Sequence, residues 1–171
     1  MNSNRTQIDE QQIFNGLSLA LVQAEKAKRE QTYPIGAIIT SFDGTVIAQA
    51  HNRVKSQHDP TAHAEIEVIR KAGLYLQKNK GQGILYTTIE PCLMCIGAIL
   101  AADISVLVWG VSDSYGGAVD FVANSYQKEN LVMPHVIAEP FPELGKMICE
   151  LMRTWELSRG YPSELWGKCG G

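Results

Sequence analysis

Two short motifs, 26 residues apart, carry the chemistry of this chain: His63-Ala64-Glu65 and Pro91-Cys92-Leu93-Met94-Cys95. Together they supply one imidazole, two thiols and one carboxylate. A catalytic zinc ion takes three protein ligands and keeps a fourth position open for water. His63, Cys92 and Cys95 are the three ligands expected here. A closed structural site would ask for a fourth Cys or His, yet the chain has no second CxxC and no HxxxH, and Cys149 and Cys169 stand alone far downstream. Zinc lowers the pKa of bound water to roughly 7. Glu65, two positions from His63, is better placed to reach that water than the metal. It is the expected catalytic residue, a general base for the water proton that can afterwards hand it on as an acid. General acid–base help of this kind is worth about 10²–10⁴ in rate.

The local sequence supplies elements that position these groups. Asp59-Pro60-Thr61 reads as a helix start, with Asp59 or Thr61 as N-cap and Pro60 in or beside the first turn. From Ala62 to Leu76 the chain runs at helical spacing, with Ala62, Ile66, Ile69 and Gly73 on one stripe. Pro91 opens a second helix, Cys92 to Ala102, whose first turn puts Cys92 and Cys95 on one face. A helix N-terminus stabilises thiolate. Two such ends are expected to meet at one metal. A CxxC alone would read as a redox pair, and the second motif at a second helix start is what favours metal.

The rest of the chain reads as a frame. A first helix covers Glu10 to Glu30, with Ile13, Leu17, Ala20, Leu21 and Ala24 buried. Ile35 to Ser41 and Val46 to Ala50 flank Asp43-Gly44 as a β-hairpin. Gly83 to Ile89, Ile104 to Gly110 and Leu131 to Ala138 read as three further strands. Ser112 to Asn130 is irregular, with a short helix near Phe121, and Pro140 to Ser158 is a last helix with Leu144, Met147, Ile148, Leu151, Met152 and Trp155 inward. This order gives an α/β fold, a three-layer α/β/α sandwich around a five-stranded mixed sheet, with strands 3 and 4 parallel.

Length and composition set bounds. The 171 residues suit one domain, residues 1–171, with 160–171 as a C-terminal tail placed to cover the active site. Hydrophobic content of 45% is ordinary for a soluble globule. Met1 to Gln12 is polar and lacks the apolar core of a targeting signal, and the apolar run Ile96 to Ala102 is too short to span a bilayer. Two cysteines committed to metal suggest a reducing compartment without a disulfide frame, hence a cytoplasmic location. The net charge is −3, and all of the excess lies from Ile104 onward, where five Lys and Arg face eight Asp and Glu. Nucleic-acid binders usually show a basic face, and none is obvious here.

An H-x-E motif followed by P-C-x-x-C resembles the mark of the zinc deaminases. Both motifs and the element order, over roughly residues 10 to 158, are similar to the cytidine deaminase-like superfamily. Asn52-Arg53 and His58-Asp59-Pro60-Thr61-Ala62-His63-Ala64-Glu65-Ile66 resemble bacterial tRNA adenosine deaminases and bacterial guanine deaminases. Leu85-Tyr86-Thr87-Thr88 before Glu90-Pro91-Cys92 resembles fungal-type cytosine deaminases. The resemblance implies a zinc-dependent hydrolytic deaminase of an amino-bearing ring and a homodimer, for which Ile96, Ile99 and Leu100 offer an interface face. It implies zinc on His63, Cys92 and Cys95, substrate hydrogen bonds from Asn52 and from the Ala64 backbone N–H, and proton transfer by Glu65. A turn role for Asn52 stands beside the substrate role.

Departures from the tRNA-type pattern shape the substrate expectation. The stretch from Gly110 to Phe121 has no Lys or Arg, and the last helix mixes Glu143, Glu150 and Glu156 with Lys146, Arg153 and Arg159. Anchoring an RNA stem takes cations on phosphates. The leading expectation is therefore a small nucleobase-like substrate, guanine or cytosine first, or a nucleoside, with nucleic acid set aside and no membrane partner. A tRNA adenosine deaminase forming inosine is the alternative, and a non-catalytic zinc-stabilised interaction domain the third reading, against which Glu65 argues. Phe121, Tyr126, Trp155, Tyr161 and Trp166 are the aromatics that could lid the pocket and stack on a base; Trp166 in the Gly-flanked tail is the better lid, and Trp155 reads as core. Asp113 is a candidate reader of a ring amidine, with a solvated loop charge as the commoner role. His58 suits a cap or loop, and His51 and His135 suit strand ends.

Overall fold

Continuous burial along two segments decides the architecture. Gly36–Thr40 (β1) and Gly83–Ile89 (β3) are buried at every position, whereas Val46–His51 (β2) and His135–Ala138 (β5) are partly exposed. Unbroken apolar strands belong inside a sheet covered on both faces, and the others at its edges. The computed structural model describes residues 8–125 and 132–161. Ile104–Val111 (β4) completes a five-stranded sheet in the order β2-β1-β3-β4-β5. β1 runs antiparallel to both β2 and β3, and β3, β4 and β5 are mutually parallel. The sheet is mixed, as expected.

Helices cover both faces. Glu10–Arg29 (α1) and Pro142–Ser158 (α6) pack on one side over Ile38, Ile84, Tyr86, Val106 and Val108. Ala64–Lys78 (α3), Leu93–Ala101 (α4) and Val119–Ser125 (α5) pack on the other over Ile39, Leu85, Leu107 and Trp109. A short helix absent from the sequence reading, Val54–Gln57 (α2), joins β2 to α3. α1 begins with a capping box in which Asp9 and Gln12 satisfy each other's backbone N–H groups.

Three expectations need correction. The metal helix starts at Ala64, not near Asp59, because Asp59 instead accepts hydrogen bonds from the Thr61 amide and hydroxyl in a tight turn. Its buried stripe is Ala64, Val68, Ala72 and Leu76, with Ile66, Ile69 and Gly73 only half-buried. The small residues let the helix approach the sheet and the branched ones fill its flank. Met147, expected inward, is 53% exposed. Cys92 and Cys95 carry free thiols.

α1 lies so close to β1 that a Cβ on Gly36 would fall on the Ala20 carbonyl oxygen and within 2.5 Å of the Ala24 nitrogen. Backbone cannot yield as a side chain does. Gly36→Ala is expected to destabilise the fold by about 1–3 kcal/mol. Gly73→Ala, whose Cβ meets nothing within 4 Å, should stabilise α3 by about 0.5–1 kcal/mol. Urea unfolding of both variants checks the contrast, and equal midpoints would refute the close-approach argument.

Candidate zinc site

Two helix N-termini meet at the edge of the sheet where β3 ends. His63 is the N-cap of α3 and Cys92 the N-cap of α4, both with extended backbone and neither side chain capping its own helix. Those side chains are turned toward each other instead. Cys95 follows in the first turn of α4. His63 Nδ1 lies 3.7 Å from Cys92 Sγ and 3.5 Å from Cys95 Sγ, and all three ligand atoms fall within 4.8 Å of one another. Tetrahedral zinc with ordinary Zn–S and Zn–N bonds demands N···S separations of about 3.6 Å. The donor set therefore fits zinc in both chemistry and spacing. Bound zinc supplies a Lewis acid that makes water a nucleophile near neutral pH.

The protonation of the triangle follows from its packing. The Cys95 thiol donates to Cys92, which with His63 beside it brings the Cys92 pKa down to about 4. Hydrogen bonding to Cys92, together with burial, pushes the Cys95 thiol up. The Cys92 thiolate in turn raises His63. Without metal, the pair keeps one proton on Cys95 and one negative charge on Cys92.

Glu65 sits beside the ligands, 4% exposed, on the first turn of α3. Thr87 Oγ1 on β3 donates to its Oε1 at 2.9 Å, and the Cys95 thiol approaches its Oε2 at 3.6 Å. Burial raises its pKa above the usual carboxylate range. A raised carboxylate pKa moves the group toward the operating pH, where proton uptake and release are both cheap. The sequence offers no local signal that pairs Glu65 with Thr87. Its role follows from the alternation of β3, which turns its hydroxyl to the α3 side.

Asn52 follows β2 and is 1% exposed. Its Oδ1 accepts from Thr32 Oγ1 at 2.7 Å and from the Val54 N–H at 3.1 Å. The second bond is a turn interaction, so the turn role is present. Both bonds occupy the carbonyl oxygen, which orients the amide and leaves its NH₂ group as the available donor. Thr32, twenty residues away and fully buried, gave no signal in the sequence. Ala64 is the first residue of α3 and fully buried, and an N–H at that position has no intrahelical acceptor.

The other candidates separate clearly. Asp113 uses Oδ1 to accept from the Tyr115 N–H, a loop-forming role. Trp155 is buried against Tyr33, as a core residue. Phe121 and Tyr161 are exposed. His58 ends α2 in the left-handed conformation, His51 binds Glu30 at 2.9 Å, and His135 is exposed. Trp166 and Tyr126 lie outside the described residues.

The asymmetry of the thiols is testable. In zinc-stripped protein, iodoacetamide should alkylate half-buried Cys92 ahead of buried Cys95. Reaction should persist well below pH 7 and fade only as the pH falls through about 4, because a lowered pKa keeps the thiolate above that value. Zinc should protect both. Peptide mapping by mass spectrometry reads this, and faster labelling of Cys95 would overturn the assignment.

Comparison with known proteins agrees with this geometry. Residues 10–111 match the family model of the cytidine and deoxycytidylate deaminase zinc-binding region. A tRNA-specific adenosine deaminase of Agrobacterium fabrum is 47% identical over 105 residues, 61% of this chain and 68% of that protein. A solved structure from work on A-to-I editing by tRNA:A34 deaminases shares 39% identity at a TM-score of 0.65, covering 73% of this chain and 97% of that one. A guanine deaminase from Bacillus subtilis shares 27% identity at a TM-score of 0.56, covering 87% and 94%. With the ligand triangle, the buried glutamate and the matched region in one place, this chain belongs to the cytidine and deoxycytidylate deaminase zinc-binding family.

Proposed function

We propose that this protein is a tRNA adenosine deaminase, converting adenosine to inosine in an anticodon stem-loop. The observation that carries the substrate is the 47% identity to a tRNA-specific adenosine deaminase. It displaces the free nucleobase as first choice. The reaction is hydrolysis. Water adds to the amino-bearing ring carbon, the C–N bond breaks, a C=O bond forms and ammonia leaves. Glu65 takes the water proton, delivers it to the adjacent ring nitrogen and then protonates the leaving amine. The Asn52 NH₂ group and the Ala64 N–H donate to ring acceptors. Zinc on His63, Cys92 and Cys95 completes the site.

One observation favours a second reading, deamination of a free base such as guanine or cytosine, or of a nucleoside. The loop after β4 offers no Lys or Arg for a phosphate.

A homodimer is part of the proposal. Ile96 and Ile99 are buried within the subunit, so they do not supply the face. The outward side of α4 is Leu93, 59% exposed, with Met94, Gly97 and Ala101 exposed beside it, and α4 has no charged residue. A second copy covering this apolar face would remove it from water.

Two experiments test these readings. Zinc-loaded protein should produce inosine from an adenosine-containing stem-loop, falling steeply with salt, and Glu65→Gln should lose about 10²–10⁴ of that rate. Ammonia from free guanine or cytosine with no inosine at any salt would replace the first reading by the second. Sedimentation equilibrium should give a dimer that Leu93→Glu converts to monomer, and a monomeric parent protein would end the dimer proposal.

A further inference from the structure

Glu90 is the residue between the last position of β3 and Pro91, two positions before the first thiol ligand. Neither the metal triangle nor the proton path uses it. Its half-buried carboxylate nevertheless reaches across to the loop between β4 and α5 and holds it at both ends. Oε2 accepts from the Asp113 N–H and Oε1 from the Val119 N–H, each at 3.2 Å. One carboxylate thus closes a seven-residue loop, and carboxylate oxygens accept two backbone N–H groups at once without strain.

The enclosed backbone is stitched to the metal helix. Gly117 pairs with Cys92 in an isolated antiparallel bridge, and the Ala118 N–H donates to the Pro91 carbonyl at 3.1 Å. Gly117 must be glycine for this wrap, since a Cβ there would strike Glu90 Oε2 and approach the Asp113 carbonyl oxygen to 2.5 Å. Within the loop, Gly117 N–H donates to the Asp113 carbonyl at 2.9 Å, and Tyr115 N–H to Asp113 Oδ1 at 2.9 Å. The loop therefore leans on a zinc ligand with one side and presents Ser114 and 85%-exposed Tyr115 with the other.

We infer that Glu90 is a positioning residue that fixes the Asp113–Val119 loop as a wall beside the zinc site, so that substrate affinity depends on it while metal binding and proton transfer do not. Displacing a contact wall by an ångström weakens substrate binding, and loss of an interaction made equally in ground and transition states raises KM with kcat unchanged. The inference rests on membership of the deaminase family and not on the stem-loop as substrate.

The test uses full-length, zinc-loaded protein. In Glu90→Gln an NH₂ group faces a backbone N–H in place of an acceptor, and one end of the loop is released. Amide exchange at Asp113 or Val119 should accelerate at least about tenfold, with one zinc per chain retained. KM for the adenosine stem-loop should rise about tenfold with kcat within about threefold. Gly117→Ala should do the same by collision, and the double variant should be little worse than either single one, because both act through one loop. Loss of zinc, or a fall in kcat with KM unchanged, would make Glu90 a support of the metal site and overturn the inference. Unchanged exchange at both amides would overturn it too. The exchange arm needs no substrate, so a chain inactive on the stem-loop still decides this point separately from the proposed function.

Discussion

The structure depends on bringing two helix N-termini together at one edge of the sheet. Each end carries orphan backbone N–H groups and a partial positive charge. Side by side they repel each other and attract thiolate. At Cys92 the largest lowering of the pKa comes from the Cys95 thiol that donates to it, with His63 and the Cys95 backbone N–H adding to it. The 3.5 and 3.7 Å contacts from His63 Nδ1 to the two sulfurs show the ligands already at coordination spacing. Everything beneath serves that juxtaposition. β1 and β3 are buried throughout, and Ala64, Val68 and Ala72 bring α3 down onto the sheet.

A buried carboxylate beside that positive region would ordinarily be a liability. Burial alone penalises the charged form of Glu65 heavily. The same desolvation lifts its pKa, the direction in which a general acid–base group has to be shifted. Thr87 limits the effect by donating to one oxygen and fixing the rotamer, while the second oxygen faces Cys95 and the metal position. Asn52 repeats the device. Two donors hold its carbonyl oxygen, so its remaining hydrogen-bonding capacity points one way. In both cases a threonine decides which polar atoms the side chain leaves available.

How much of this was legible in the sequence follows the range of the interaction. The ligands and Glu65 were readable because they lie within two short motifs whose spacing is dictated by one helix turn. β3 was readable to the residue because its Ile, Leu, Tyr and Thr are bounded by Gly83 and Pro91. The phase of α3 was not. Ile66 and Ile69 attract a hydrophobicity argument, but alanines face the sheet since close packing, not side-chain size, sets which face goes down. The helix start was misplaced for a related reason. Asp59 is a good N-cap by type, yet its carboxylate is spent on Thr61, and His63 takes the cap position with its side chain committed to the site. Thr32 on Asn52 and Glu90 on the β4–α5 loop join residues twenty or more positions apart, and no local pattern announces such pairs.

The same distinction explains why the chemistry is easier to assign than the substrate. Adding water to an amino-bearing carbon needs a ligand triangle and one poised carboxylate, all local and all fixed by two helices. Choosing among an adenosine in RNA, guanine and cytosine needs a wall at the proper distance from that triangle. Here the wall is a loop of polar and glycine residues that has almost no core of its own, with only Ala118 and Val119 buried. Its position is borrowed, through Glu90 and the Cys92–Gly117 bridge, from the helix that holds the metal. A family can therefore keep the metal helix and the proton carrier while the wall's exposed residues change. Structures named for tRNA:A34 deaminases and for a guanine deaminase share this fold, which is what a fixed reaction centre beside an exchangeable wall would produce.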